Sequence, residues 1–376
     1  MIRSRNRRRG RIAVFALAVL AVATPLRSSD VRKILAEIYP LPSTTGSEHL
    51  LAEAIAARIP RGLAVEKEGL GGFAVRLGRG EPALMVLVPL DDVGFIVGGI
   101  TPDGYLTLDR PVPPPHSFFD AFLLGNPVVV STRSGIVQGV VAQPSMHLLD
   151  AERRRALVDG FGLENAFVDI GTRSAEEARR RGIELLDAVS FLPDLVELAG
   201  GRISGPSLAT KALCAVLVQS ALDLEAYRPR GALLLVFAAQ TKFSMRGRGA
   251  RASMGAVRAK NLWRPARTIV LGRTETGGAA SGEALGRGPV LAHAGPNPPP
   301  LFEDVSGAAG RMGLPIQTKS GADSPLLRAF AEPDREVVAL SVPVLFGDTP
   351  GETIDVQDLE ALTRLLAAWL REGGRR

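Results

Sequence analysis

Residues Ala232–Ala238 read Ala-Leu-Leu-Leu-Val-Phe-Ala, seven apolar residues in a row. A strand with one face in water alternates apolar and polar residues, because successive side chains point to opposite faces. A run without alternation needs cover on both faces, as in a sheet sandwiched between helices. Ala83–Val88 is a second apolar run, and Phe73–Leu77, Thr268–Leu271, Pro315–Gln317 and Val337–Val342 are further strand candidates. Helical spacing marks Glu48–Ile59, with Leu50, Leu51, Ala54, Ile55 and Ile59 apolar, and Ser207–Ala221 reads as a long buried helix. Asp355 caps a final helix with Leu359, Leu362, Leu366, Trp369 and Leu370 on one face. Arg273–Pro300, rich in Gly, Pro and Ala, reads as a loop. The chain shows no internal repeat.

From Gly94 to about Val189 the pattern changes to short alternating strands punctuated by Thr101–Gly104, Pro111–Pro115 and Ser134-Gly135. This is the expected signature of a small β-rich domain inserted into an α/β one. Ser174–Glu177 has capping-box spacing for a helix Ala175–Arg181, with Gly182 just past its end. The expected division is an α/β domain formed by 31–93 and 194–371, with 94–193 inserted.

With 376 residues and 46% hydrophobic content the chain has material for about two domains. Its formal charge of +6 is accounted for by Arg3, Arg5, Arg7, Arg8, Arg9 and Arg11. The remainder is neutral and poor in aromatics, which argues against a nucleic-acid partner. Those arginines precede the apolar stretch Ile12–Ala23, which ends in Ala21-Val22-Ala23. Residues 1–23 therefore read as an export signal, too short for a comfortable membrane anchor, and the expected location is periplasmic or extracellular. The triple arginine also allows a twin-arginine route. Cys214, the only cysteine, lies in an apolar run and excludes both an intramolecular disulfide and a cysteine-based zinc site.

Directly after Ala83–Val88 comes Pro-Leu-Asp-Asp-Val-Gly-Phe, residues 89–95. It resembles the His-x-Asp-Glu-x-Gly-Phe motif of the tetrahedral (TET-type), glutamyl-aminopeptidase-like metallopeptidases, family forty-two of that class. Other segments resemble the same family in the same order: Pro42–Glu48; Gly139–Val141 with Pro144 and His147–Leu149; Phe167–Gly171 with Ser174–Ala178; Leu285–Pro289; and Ser320–Asp323. The likeness runs from about Val31 to Arg371. It implies a doubly wound, zinc-peptidase-like α/β domain with an inserted β-barrel-like domain, the latter mediating self-assembly.

The resemblance also implies two divalent metals as cofactors, which would polarise a scissile carbonyl and activate water. The positions matching the family's ligands and base depart from its pattern. The first histidine is Pro89, which has no side-chain donor atom. The bridging aspartate is Ala209, the general base Thr241 and the following ligand Lys242. The next aspartate matches Gly272, in a register open to a slip by one, and the final histidine matches Asp348. Asp91 and Asp323 are retained. At an effective dielectric near 20, like charges about 4 Å apart repel by roughly 4 kcal/mol, so Lys242 opposes dications.

No metal cofactor is therefore expected, and the degenerate pocket comprises Pro89, Asp91, Ala209, Thr241, Lys242, Gly272, Asp323 and Asp348. The Lys242 ammonium is expected either to pair with Asp91 or Asp348 or to point to solvent. His49, His116, His147 and His293 have no metal-ligand spacing and miss the family's ligand positions. Thr241 and Ser244 sit where a hydroxyl nucleophile would, but Lys242 is the only neighbouring base. The leading expectation is a catalytically degenerate homologue that binds a peptide or small molecule, as a homo-oligomer or with a paralogue. The alternative is an active aminopeptidase with relocated ligands.

Overall fold

The computed structural model describes residues 31–229, 231–246, 251–277 and 282–372; residues 1–23, expected to be an export signal, lie outside them. Helices α1 (Val31–Ile38) and α2 (His49–Ala56) precede strands β1 (Ala64–Lys67), β2 (Phe73–Leu77) and β3 (Pro82–Pro89). The chain then forms β4 (Phe95–Ile100), β5 (Leu106–Asp109), β6 (Pro127–Thr132), β7 (Gly135–Ala142), helix α3 (Ala151–Asp159), β8 (Phe167–Asp169), α4 (Ala175–Arg180) and β9 (Ala188–Phe191). Strands β10 (Val196–Leu198) and β11 (Arg202–Ser204) lead into α5 (Leu208–Asp223) and β12 (Ala232–Ala238). After β13 (Ser244–Arg246) and β14 (Arg251–Ser253) come α6 (Met254–Trp263), β15 (Arg267–Glu275), β16 (Val290–Ala292), α7 (Pro300–Met312), β17 (Gln317–Lys319) and α8 (Pro325–Phe330). The chain closes with β18 (Glu336–Val344), β19 (Thr353–Asp355) and α9 (Val356–Arg371).

Eight strands form one sheet in the order β1-β2-β12-β3-β15-β18-β16-β17. Its centre is parallel: β12 with β3, β3 with β15, and β15 with β18. The apolar runs explain why. In β12, Leu233, Leu235 and Phe237 face a core shared with α1, α2, α5, α7 and α9. Leu234, Val236 and Ala238 face a second core under α6 and α8. In β3, Leu84, Val86 and Val88 join the first core, and Met85 and Leu87 the second. Each fully buried aliphatic side chain contributes about 1.5–3 kcal/mol, so a polar residue on either face would be costly. Helix α5 is buried from Leu208 to Ala221, as befits a helix between sheet and flanking helices. Asp355 accepts the Gln357 N–H at 2.8 Å and starts α9, whose apolar face packs inward.

Strands β4–β9 close into a barrel in the order β4-β5-β8-β7-β6-β9, with β9 returning to β4. Its interior holds Phe95, Val97, Leu106, Val128, Val130 and Val189, among others. Phe95 stacks on Phe119 at 5.5 Å. The fold is thus α/β with a small closed barrel between β3 and the return to the main sheet. Within it, Ser174 caps α4 by accepting the Glu177 N–H, and Gly182 takes the positive φ of 86°.

Several elements differ from expectation. The segment 273–300 is not wholly loop: β15 continues to Glu275, and Val290–Ala292 forms β16, antiparallel to β18. The strand expected at Pro315–Gln317 lies at Gln317–Lys319, where β17 pairs with β16. Helices α6 and α7, and the edge strand β1, were not anticipated.

Candidate functional site

The parallel strands β3, β12, β15 and β18 bring their C-terminal ends to one edge of the sheet, the usual ligand-binding edge of open α/β sheets. A cleft of about 410 Å³ opens there. Pro89, Ala209, Lys242, Gly272 and Asp323, five of the residues singled out in the sequence, line it. The other three lie elsewhere. Asp91 and Thr241 are buried behind the cleft, and Asp348 sits in an adjoining depression toward the barrel.

Asp91 is fully buried, and it is bound by donors rather than by a cation. Its carboxylate accepts hydrogen bonds from Thr45 Oγ1 at 2.9 Å, Thr241 N at 2.8 Å, Thr241 Oγ1 at 2.6 Å and Lys242 N at 2.9 Å. These four donors satisfy both oxygens, so Asp91 ties the Pro42–Glu48 segment to the turn after β12. Glu48 reinforces the tie: its Oε1 accepts from Gly46 N at 2.9 Å and Gln240 N at 2.8 Å. Gln240 needs the help, because its φ of 55° is left-handed. Burial, with Asp91 close by, pushes the Glu48 carboxyl up to about 7. Gly94, at the exit to the barrel, has no room for a side chain; a Cβ there would lie 2.6 Å from Thr44 Oγ1 and 2.8 Å from Val189 O.

The expected pairing of the Lys242 ammonium with Asp91 or Asp348 is corrected. Lys242 meets Asp91 through its backbone N–H, and among the described residues its ammonium has no carboxylate within 4.0 Å. Asp348 is taken by a different cation, Arg273, whose Nη2 bonds Oδ2. Arg273 Nη1 also bonds Glu352 Oε2 at 3.0 Å, and its Nε lies 3.6 Å from Glu275. Arg273 follows Gly272 by one residue on β15; both line the cleft, and Arg273 also lines the adjoining depression with Asp348 and Glu352. Glu352 is buried and spans two elements. Its Oε1 accepts Ala209 N at 2.6 Å, satisfying an orphan donor in the first turn of α5, while Oε2 faces Arg273.

Two further buried charged residues, Asp92 and Lys211, have no counterpart in the sequence reading of the site. Asp92 accepts Thr210 Oγ1 at 2.9 Å, and its Oδ2 has no hydrogen-bond partner. Burial raises its carboxyl, opposed by Lys242, Lys211 and Arg273. Lys211, nearly fully buried, donates to the Leu41 carbonyl; burial pushes its ammonium down to about 8, against the pull of Asp92. Cys214 is a buried thiol donating to the Pro89 carbonyl at 3.3 Å. Asp323, on the cleft rim, pairs with Arg328. Of the histidines, His49 and His147 are exposed, His116 packs on Phe119 and Phe122, and His293 packs edge-on to Phe302. Among the described residues, no three His, Cys, Asp or Glu side chains group so as to hold a metal ion. Carboxylates do converge here, but on a guanidinium.

An α/β sheet with a cleft at the C-terminal ends of its parallel strands, interrupted by a closed barrel, defines the architecture. The model of the M42 glutamyl aminopeptidase family matches residues 71–365, and the chain belongs to that family. It is 25% identical over 353 residues to a lysyl aminopeptidase of Pyrococcus furiosus, covering 90% of this chain and 96% of that one. The TET1 peptidase of Pyrococcus horikoshii, which can assemble into a tetrahedron or a large octahedral shell, superposes with a TM-score of 0.77. That match is 25% identical and covers 90% of this chain and 98% of the other. A Thermotoga maritima protein described as an endoglucanase shares the fold, with a TM-score of 0.69 at 23% identity over 90% of this chain and 97% of that one.

Proposed function

We propose that this chain is a family member that has given up two-metal hydrolysis and keeps the cleft for binding. The observation that carries this reading is the Arg273 fork. Asp348 and Glu352, carboxylates of the depression that adjoins the cleft, are already neutralised by one guanidinium. The remaining residues do not fit two dications either. Pro89 and Ala209 offer no side-chain donor, Gly272 has no side chain, and the Lys242 ammonium has no lone pair. Asp91 spends its oxygens on four protein donors.

Hydrolysis of lysyl-, glutamyl- and leucyl-4-nitroanilide with added zinc, cobalt or manganese tests the reading. The expected result is no metal-dependent turnover; turnover proportional to bound metal refutes it. We propose further that the chain forms a homo-oligomer, supported by the assemblies of its P. horikoshii relative. Native mass spectrometry reads this directly, and a stable monomer contradicts it. Export is proposed from the basic-then-apolar pattern of residues 1–23. N-terminal sequencing of protein recovered outside the cytoplasm checks it.

A further inference from the structure

The cleft presents a polarity opposite to one built for dications. Lys242 stands at its sheet edge, half-buried, with no carboxylate within 4.0 Å among the described residues. The other charges in the lining already have partners. Arg273 is held by Asp348 and Glu352, Lys319 lies 3.4 Å from Glu283, and Asp323 bonds Arg328. Asp92 feels Lys242 from behind, but its hydrogen bond goes to Thr210, and burial disfavours its charged form. A partly desolvated ammonium without a counter-ion is where an anion gains most, since the ligand's charge replaces lost water.

The lining also offers apolar side chains, Leu213, Ala292, Ala322, Pro325 and Leu326, beside the hydroxyls of Thr210, Thr274, Ser324 and Ser341. The volume suits a small ligand. We infer that the cleft binds a small carboxylate with a short aliphatic body, the carboxylate on the Lys242 ammonium and the aliphatic part against Leu213 and Leu326. The inference rests on the proposed metal-free reading, because dications beside Lys242 would compete for the same anion. A free amino acid, an acylated one and a peptide C-terminus share this chemistry. An aminopeptidase substrate would instead need its free amine recognised.

The test is calorimetric titration of the full chain in EDTA with N-acetylleucine, leucinamide, leucine and glycylleucine. N-acetylleucine keeps the carboxylate and loses the amine charge; leucinamide does the reverse. N-acetylleucine is expected to bind at least about tenfold more tightly than leucinamide, the least a charge-assisted bond gives. Lys242→Gln is expected to lose about tenfold or more of that affinity, and Lys242→Arg to retain most of it. Leucine and glycylleucine separate a free amino acid from a peptide C-terminus, and a preference for either over leucinamide supports the inference. Equal or tighter binding of leucinamide, no carboxylate binding at all, or an unaffected Lys242→Gln overturns it. Because the titration is metal-free and reads binding, it fails independently of the hydrolysis assay.

Discussion

Arg273 Nη1 donates to Glu352 Oε2 at 3.0 Å, across 79 residues of chain, and so joins β15 to the segment that leads into β19. Glu352 is only 1% exposed, so it depends on that partner. Arg273→Met leaves the carboxylate buried without a cation. The expected cost is about 3 kcal/mol, near the low end for breaking a buried pair because Arg273 is itself 21% exposed. Urea unfolding of the variant measures it. A change below about 0.5 kcal/mol, the scale of surface substitutions, would mean that the fork does not hold the loop.

Glu48 predicts a pH dependence. Its folded carboxyl, raised by burial to about 7 from an ordinary 4.5, binds more protons when folded than when unfolded. Its contribution to stability is therefore full below about pH 4.5 and lost as pH rises through 7. Glu48→Gln keeps an Oε1 able to accept from Gly46 and Gln240 but cannot ionise. At pH 8 the variant is expected to be more stable than the parent, by up to about 3 kcal/mol, with the difference vanishing near pH 4.5. Denaturant midpoints at both pH values check the sign.

Asp91 predicts the opposite sensitivity to an amide. Its oxygens face donors only. Asp91→Asn turns one acceptor into an NH₂ group aimed at an N–H or hydroxyl. The expected loss is about 2–3 kcal/mol. If carboxylate binding at Lys242 is as inferred, it weakens in the same variant, because Asp91 positions the Lys242 backbone. Unfolding and titration of one preparation measure both.

Gly272 and Gly94 predict a contrast. A Cβ at Gly272 meets only Ser341 Oγ, at 3.7 Å, an ordinary contact. Gly272→Asp is therefore expected to fold with little loss of thermal stability. At Gly94 a Cβ would strike Thr44 Oγ1 and the Val189 carbonyl, so Gly94→Ala is expected to cost about 1–3 kcal/mol. Thermal melts of the two variants side by side test the claim that Gly272 is open space while Gly94 is a packed crossing.

What the sequence made legible follows from range. Ala232–Ala238 announced a sheet covered on both faces because burial on two sides is written into consecutive residues. The cap at Asp355 and the box at Ser174 are equally local. The strand Val290–Ala292 was not legible: three residues in a Gly- and Pro-rich stretch carry no period, and only pairing with β18 makes them a strand. Helix α7 does carry a local signal, Pro300 at its first turn and Leu301, Phe302, Val305, Ala308 and Ala309 at helical spacing. In the site, alignment of motifs found the cleft lining through Pro89, Ala209, Lys242 and Gly272. It missed Arg273, because its partners Asp348 and Glu352 lie 75 and 79 residues away and ion-pair choice is a tertiary fact. For Lys242 the motif leaves pairing with Asp91 or Asp348 and exposure to solvent both open, and the geometry gives Asp348 to Arg273. Asp92 stood in the motif itself, but its burial beside Lys211 has no local signature.

In the proposed metal-free site, a guanidinium and an unpaired ammonium stand in place of two dications. The most direct measurement is metal content by mass spectrometry after equilibration with zinc, cobalt or manganese and desalting, with 4-nitroanilide turnover read on the same sample. The expected result is well under one metal per chain and no metal-dependent turnover. Two metals per chain accompanied by turnover would contradict it.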